Sequence, residues 1–191
     1  MGGAPPGTKI SLSEYNWGAL DAMNGALAQA DALGIFGREG LDLATLWAPP
    51  SASQPGAYAF RMFRNYDGEG AAFGDTSLRA TSSDPDKLAI YAAERGDKTL
   101  TIMIINKSDQ DLSSTVALQN ASVQESVHVY RYSSAKLDAI EHGIDIKVAG
   151  EQISTSSRPI QLRCLNCHHV KILFLRLLGR PAHALGQCRV G

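Results

Sequence analysis

Apolar residues recur along the chain with two periods. Leu20, Met23, Leu27, Ala30 and Gly34 are spaced three or four apart and predict a helix over residues 21–36. Asp21 or Asn24 is placed to cap its start, and Gly34 and Gly37 sit where it would stop. Short strands are expected before it, at 9–13, and after it, at 41–46. The second strand ends at Trp47, and Ala48-Pro49-Pro50-Ser51 then breaks regular structure. Strand, helix, strand at this spacing is a βαβ unit, whose two strands lie parallel in one sheet.

After Pro55 the period shortens. Residues 58–64, 77–82, 88–94, 100–106, 114–119 and 126–132 read as six short strands, with a candidate seventh at 144–148. Asp67-Gly68, Asp84-Pro85, Gly96-Asp97 and Ser108-Asp109 supply turn chemistry between them. Tyr58, Phe60 and Met62 alternate with Ala59, Arg61 and Phe63. Leu100, Ile102 and Ile104 share one face of their strand, and Met103 and Ile105 make the other face apolar too, so this strand is central. The expected fold is mixed: a βαβ piece over 1–50, then an antiparallel β-sandwich over 55–155, then a tail over 156–191.

Composition changes this picture mainly at the tail. The 191 residues are 44% hydrophobic and 19% charged with a net charge of −1, which excludes wholesale disorder. The segment 158–191 holds six Lys+Arg and no acidic residue, which leaves 12 Lys+Arg against 19 Asp+Glu before it. No basic patch with interleaved aromatics points to nucleic acid, and no apolar run is long enough to span a membrane. The first residues, Met1-Gly2-Gly3-Ala4-Pro5-Pro6, lack the basic and apolar parts of a signal peptide. Gly34, Gly37 and Gly40 are spaced wrongly for a phosphate loop. Ser11 and Ser13 lack a nearby His-Asp pair, and His128, between Val127 and Val129, reads as a surface or half-buried side chain.

The candidate chemistry lies at the ends of the first two strands. Glu14 and Trp47 each follow a strand that would be parallel to the other. In a parallel α/β barrel such positions face the loops that carry catalysis. A carboxylate beside an aromatic ring suits a sugar: the ring covers a pyranose C–H face and the carboxylate reaches the anomeric carbon. Tyr15 and Asn16 are placed to bond hydroxyls or orient Glu14. The plainer alternative is a solvated loop carboxylate or helix cap and a core tryptophan.

The run Gly7-Thr8-Lys9-Ile10-Ser11-Leu12-Ser13-Glu14-Tyr15-Asn16-Trp17-Gly18 resembles the nucleophile segment of glycoside hydrolase family 44. Ala28-Gln29-Ala30-Asp31-Ala32-Leu33-Gly34-Ile35-Phe36-Gly37-Arg38-Glu39-Gly40 is similar to that family's next barrel helix, and Leu41-Asp42-Leu43-Ala44-Thr45-Leu46-Trp47 to its last barrel strand. Phe63-Arg64-Asn65-Tyr66-Asp67-Gly68 and Phe73-Gly74-Asp75-Thr76-Ser77 resemble the entry to its β-sandwich. The match runs collinearly over about residues 7–150. It implies a (β/α)₈ TIM barrel plus a β-sandwich, and retaining endo-β-1,4-glucanase activity on cellulose, xyloglucan or related β-glucans. It also implies Glu14 as nucleophile, with Tyr15, Asn16, Trp17 and Trp47 at the sugar site, and a secreted parent enzyme.

Only two of eight barrel strands are present, and a retaining glycosidase needs a second carboxyl group about 5–5.5 Å from the nucleophile. Asp42, Glu39, Glu69 and Asp75 lack the expected placement. The expectation is therefore a C-terminal fragment, inactive alone, whose partner would be the missing barrel segment. The alternative is a non-catalytic sandwich module that packs or binds glycan. Tyr58, Tyr66, Tyr91, Tyr130 and Tyr132 would serve a binding row, but alternation puts most of them in or near the core.

The tail carries Cys164-Leu165-Asn166-Cys167-His168, which fits the C-x-x-C-H motif of c-type haem. With His169, and with Cys188 or His183, it also offers zinc ligands. A chance match is the alternative, and neither metal nor cofactor is expected. The apolar run 170–178 suggests a basic amphipathic helix. From about residue 156 the chain departs from the family, as a reading-frame shift would make it do.

Overall fold

The computed structural model describes residues 7–118, 121–123, 126–148, 151–168, 170–172 and 185–190. The chain begins with β1 (Ser11–Tyr15), α1 (Met23–Arg38), β2 (Leu43–Leu46) and α2 (Pro55–Arg64). Then come β3 (Thr76–Leu78), β4 (Ala80–Ser82), β5 (Leu88–Glu94), β6 (Leu100–Asn106), β7 (Leu112–Leu118) and β8 (Ala121–Val123). The last described strands are β9 (Val127–Ser133), β10 (Lys136–His142), β11 (Gln152–Ser157), β12 (Gln161–Cys167), β13 (Val170–Ile172) and β14 (Leu185–Val190).

Three layers result. A six-stranded sheet, β10-β9-β12-β6-β5-β3, faces a four-stranded sheet, β11-β7-β14-β4. Leu88, Ile90, Leu100, Ile102, Ile104, Val116, Val127, Val129, Ile153 and Leu165 fill the space between them. On its other face the six-stranded sheet carries α1 and α2. Ala26, Ala30, Tyr58, Met62, Ala89, Tyr91, Met103, Ile105, Tyr132, Leu162 and Cys164 form that second core.

Strand patterning follows from this layering. The six-stranded sheet is covered on both faces, so all seven residues of β6 are buried. The four-stranded sheet is covered on one face, so β11 alternates strictly, with Ile153, Thr155 and Ser157 inward. Asn106 is the polar residue that ends β6. Its buried Nδ2 lies 2.8–3.2 Å from the carbonyls of Gln110, Ser157 and Arg158, and its Oδ1 accepts the Ser108 N–H and hydroxyl.

Helix α1 runs through both glycines expected to stop it. Gly34 is a packing position: a Cβ there would lie 2.2 Å from Cδ2 of Tyr91. The helix stops at Gly40, whose φ of +70° is open to a residue without a Cβ. There the Leu41 N–H returns to the Phe36 carbonyl at 2.9 Å. At the start, the N-cap is Ala22, with no side-chain cap, rather than Asp21 or Asn24.

The segment 58–64, expected as a strand, is helix α2. Pro55 stands in its first turn, where a fixed φ and a missing N–H suit a helix. Tyr58, Ala59, Met62 and Phe63 make its buried face. So short an apolar run satisfies both periods, and packing against α1 and Tyr132 decides between them. Tyr58 stacks on Tyr132 with centroids 4.7 Å apart and donates to the Asp138 carbonyl at 2.5 Å.

The expected strand 77–82 breaks at Arg79. Its first half pairs with β5 and its second with β14, so the chain changes sheets within one residue. Segment 144–148 forms only an isolated bridge, Ile146 to Val127. Strands β10, β11 and β12 were not foreseen.

Strand β12 corrects the reading of the tail. It pairs with both β6 and β9 through seven residues each, inside the six-stranded sheet. Cys164 and Cys167 are three apart on a strand, so they point to opposite faces. Cys164 lies in the core under the helices and Cys167 in the core between the sheets. They cannot jointly grip a haem or a zinc ion. Residues 170–172 are strand β13, paired with β8, where a helix was expected. The rest of that run, with His169 and His183, lies outside the described residues, and Cys188 is described only as part of the backbone of β14.

Candidate active site

Strands β1 and β2 form a two-stranded parallel sheet, with Ser11 opposite Leu43, Leu12 opposite Ala44 and Tyr15 opposite Leu46. The register shifts between Leu12 and Tyr15. The Trp47 N–H donates to the Tyr15 carbonyl at 3.0 Å. Glu14 and Trp47 therefore stand at the same end of the pair, the C-terminal end of both strands. At the opposite end the Ile10 N–H donates to Asp42 Oδ2 at 2.9 Å.

Alternation divides Glu14 from Tyr15. Glu14 is exposed. Tyr15 turns the other way, toward α1, where its hydroxyl accepts from Gln29 Nε2 at 2.9 Å. Its ring meets Phe36 edge-on at 5.2 Å and Trp17 at 5.8 Å. Tyr15 thus props the strand behind Glu14. Gln29 is the residue that the sequence reading missed: it is fully buried on α1, and a polar residue on an apolar helix face was the available signal. Asn16 follows the strand and is exposed, and its Oδ1 accepts the Gly18 N–H at 2.9 Å, tightening the turn out of β1.

Trp17 is 48% exposed and Trp47 68%. Ile10, just before β1, and Leu43, the first residue of β2, are 51% and 60% exposed. Four large apolar side chains on or next to so small a sheet, whose strands pair only with each other among the described residues, make a surface of the kind that packs against further structure.

None of the other carboxylates weighed from sequence joins Glu14. Asp42 holds the far end of the strand pair. Glu39 pairs with Arg38 at the end of α1, at 2.7 Å. Glu69 borders a pocket with His128 and His142, and Asp75 borders one with Leu33 and Tyr91. The end of the strand pair therefore presents one exposed carboxylate, with two exposed indoles in the segments that follow the strands. Such a surface can meet a sugar ring and deliver a nucleophile, but it offers no partner acid of its own.

No protein-family model matches the chain. Among curated proteins, the beta-mannanase/endoglucanase A of Caldicellulosiruptor saccharolyticus is 33% identical over 132 residues, which are 68% of this chain and 10% of that one. Among solved structures, CelM2, a bifunctional glucanase-xylanase from a metagenome library, superposes with a TM-score of 0.81 at 41% identity, over 85% of this chain and 31% of that one. A Paenibacillus polymyxa xyloglucanase of glycoside hydrolase family 44 superposes with a TM-score of 0.78 at 27% identity, over 85% and 33%. The chain spans about a third of the length of these solved enzymes. In sequence and fold the chain is thus similar to about a third of the length of enzymes of glycoside hydrolase family 44.

Proposed function

We propose that this chain is the C-terminal part of a retaining endo-β-1,4-glucanase, with Glu14 as the nucleophile. The carrying observation is the shared end: Glu14 is the penultimate residue of β1, Trp47 follows parallel β2, and the Trp47 N–H donates to the carbonyl of Tyr15, the residue after Glu14, at 3.0 Å. In this reading β1, α1 and β2 are the last two strands of a (β/α)₈ barrel with the helix between them. The exposed Ile10, Leu43, Trp17 and Trp47 are the surface that the rest of the barrel covers.

The mechanism asks three things of this part. Glu14 attacks the anomeric carbon of a β-glucan and forms a covalent glycosyl-enzyme intermediate, which water then hydrolyses. Trp17 and Trp47 cover sugar faces beside it, and Asn16 holds the turn that aims the strand end. Tyr15, locked by Gln29, fixes the backbone from behind. The general acid/base comes from barrel strands outside these 191 residues, so this chain alone does not hydrolyse glucan. Cellulose and xyloglucan are the substrates proposed for the whole enzyme.

The sandwich is read as a packing module rather than a glycan binder. Tyr58, Tyr66, Tyr91 and Tyr132 are all buried, so they do not form an exposed binding row.

The test is hydrolysis of carboxymethyl-cellulose and xyloglucan. The chain is assayed alone and after co-expression with the missing barrel segment taken from a family 44 enzyme, each with a Glu14→Gln twin. Silence alone, activity in the reconstituted pair and its loss in the twin support the reading. Activity of the lone chain, or a reconstituted pair indifferent to the substitution, overturns it.

A further inference from the structure

On the helix-bearing face of the six-stranded sheet, three residues distant from Glu14 in sequence come together. His128 lies on β9, His142 ends β10, and Asp145 follows in the next loop. The Asp145 carboxylate bridges the two rings: Oδ2 is 2.9 Å from His128 Nδ1 and Oδ1 is 3.0 Å from His142 Nε2. The three ligand atoms all lie within 4.8 Å of one another.

We propose that this cluster binds a divalent late transition metal, with zinc as the leading ion. The donor set is two imidazoles and one carboxylate, which suits a borderline-soft cation and not a hard one such as calcium, which takes oxygen ligands. Ligand atoms around tetrahedral zinc stand about 3.3 Å apart. The observed 2.9 and 3.0 Å need a small outward shift as the metal replaces the ring protons, and the two ring nitrogens, within 4.8 Å of each other, have to settle at the same spacing.

Two further features mark the place as a site. His128, His142, Tyr130, Asn166 and His168 line one open pocket together with the acidic Asp67 and Glu69 and with Arg95, whose charge is paired with Asp97 at 3.1 Å. Asn166 is directly opposite His128 in the strand register. It is only 5% exposed, and its Oδ1 finds no hydrogen-bond partner among the described residues. A water or hydroxide in the metal's open position would donate to it. His168 borders the same pocket, its ring centroid 5.6 Å from that of His128, and is a candidate fourth ligand. Bound metal would tie the end of the edge strand β10 and its loop to β9, the next strand in.

The site is independent of the glucanase reading, since it shares no residue with the strand pair that carries Glu14. The test is titration of the 191-residue chain, stripped with a chelator, with zinc chloride by calorimetry, followed by cobalt(II) substitution and absorbance. One equivalent is expected, with tetrahedral cobalt bands. His142→Ala and Asp145→Asn should each weaken binding at least about tenfold while circular dichroism stays unchanged. Cys188→Ser should leave it intact. No uptake, uptake indifferent to both site variants, or loss confined to the cysteine variant overturns the proposal.

Discussion

The ring of Tyr91 lies against the backbone of Gly34, so that a single added methyl group on the helix would stand 2.2 Å from the ring. The helix and the six-stranded sheet approach closely because of this pair. Tyr91 donates to Oδ1 of Asp31 on the same helix at 2.6 Å, and Lys107 holds the other oxygen at 3.0 Å. Helix, sheet and a turn of the sandwich are thus joined at one point.

Gly34→Ala should therefore destabilise the chain by about 1–3 kcal/mol, against the gain usual for that change in a helix. Urea denaturation followed by circular dichroism reads the difference. A neutral or stabilising result would mean that α1 slides away from the sheet at little cost.

Stability should fall at alkaline pH. Burial pushes the Cys167 thiol up to about 12 and the Tyr132 phenol up to about 12. Burial also raises Cys164, Tyr66 and Tyr91, the last reinforced by its bond to Asp31. In the unfolded chain thiols release protons near pH 8.5 and phenols near 10. Above those values the folded state binds more protons than the unfolded one, so unfolding gains as pH rises. Each such group adds a slope of up to about 1.4 kcal/mol per pH unit. Denaturation midpoints at pH 7, 9 and 10 should decline in that order, and a flat series would contradict the burial of these groups.

Alkylation gives a separate check on β12. The thiolate is the reactive form, and Cys164 and Cys167 are buried with their thiols held neutral. Peptide mass mapping after iodoacetamide at pH 8 should find both unmodified in the native chain and both modified in denaturant. Rapid native labelling of either would remove β12 from the centre of the sheet.

Tryptophan fluorescence reports on the strand pair. The chain has two tryptophans, Trp17 and Trp47, and both are largely exposed. Emission of the folded chain should already be red-shifted and quenched by acrylamide, and it should change little on unfolding. Trp47→Ala should shift stability by less than about 0.5 kcal/mol. When the chain is joined to the complementary barrel segment of a family 44 enzyme, the emission should move to the blue if the proposed assembly forms.

The sequence pattern was legible where local period and tertiary surroundings agree. Strands β5 and β6 were read with their observed limits, because seven-residue apolar runs between turn residues leave little choice. Glu14 and Trp47 were placed at one end of a parallel pair from spacing alone. Helix α2 was misread because the order of Tyr58, Phe60 and Met62 also fits alternation, and only contact with α1 and Tyr132 selects the helix. Gly34 looked like a helix stop because its partner, Tyr91, is far away in sequence. The Cys-x-x-Cys-His run looked like a ligand motif because spacing alone does not say that the segment is a strand, which sends its two thiols to opposite faces. The cluster of His128, His142 and Asp145 was invisible because β10 was not foreseen, and without that hairpin two histidines fourteen positions apart have no reason to meet.

A strand that is greasy on both sides has no polarity to tell it which residue faces which neighbour. If β6 slipped by one position, Leu100, Ile102 and Ile104 would simply trade cores with Met103 and Ile105, and both layers would still be filled with apolar side chains. Ordinary hydrophobic sorting cannot forbid this error. The buried amide of Asn106 can, because its three carbonyl acceptors and two Ser108 donors exist at one place in the fold. Asn106 acts as the zero mark of a ruler for the sandwich: the innermost strand is aligned from its polar end, and its oily middle follows.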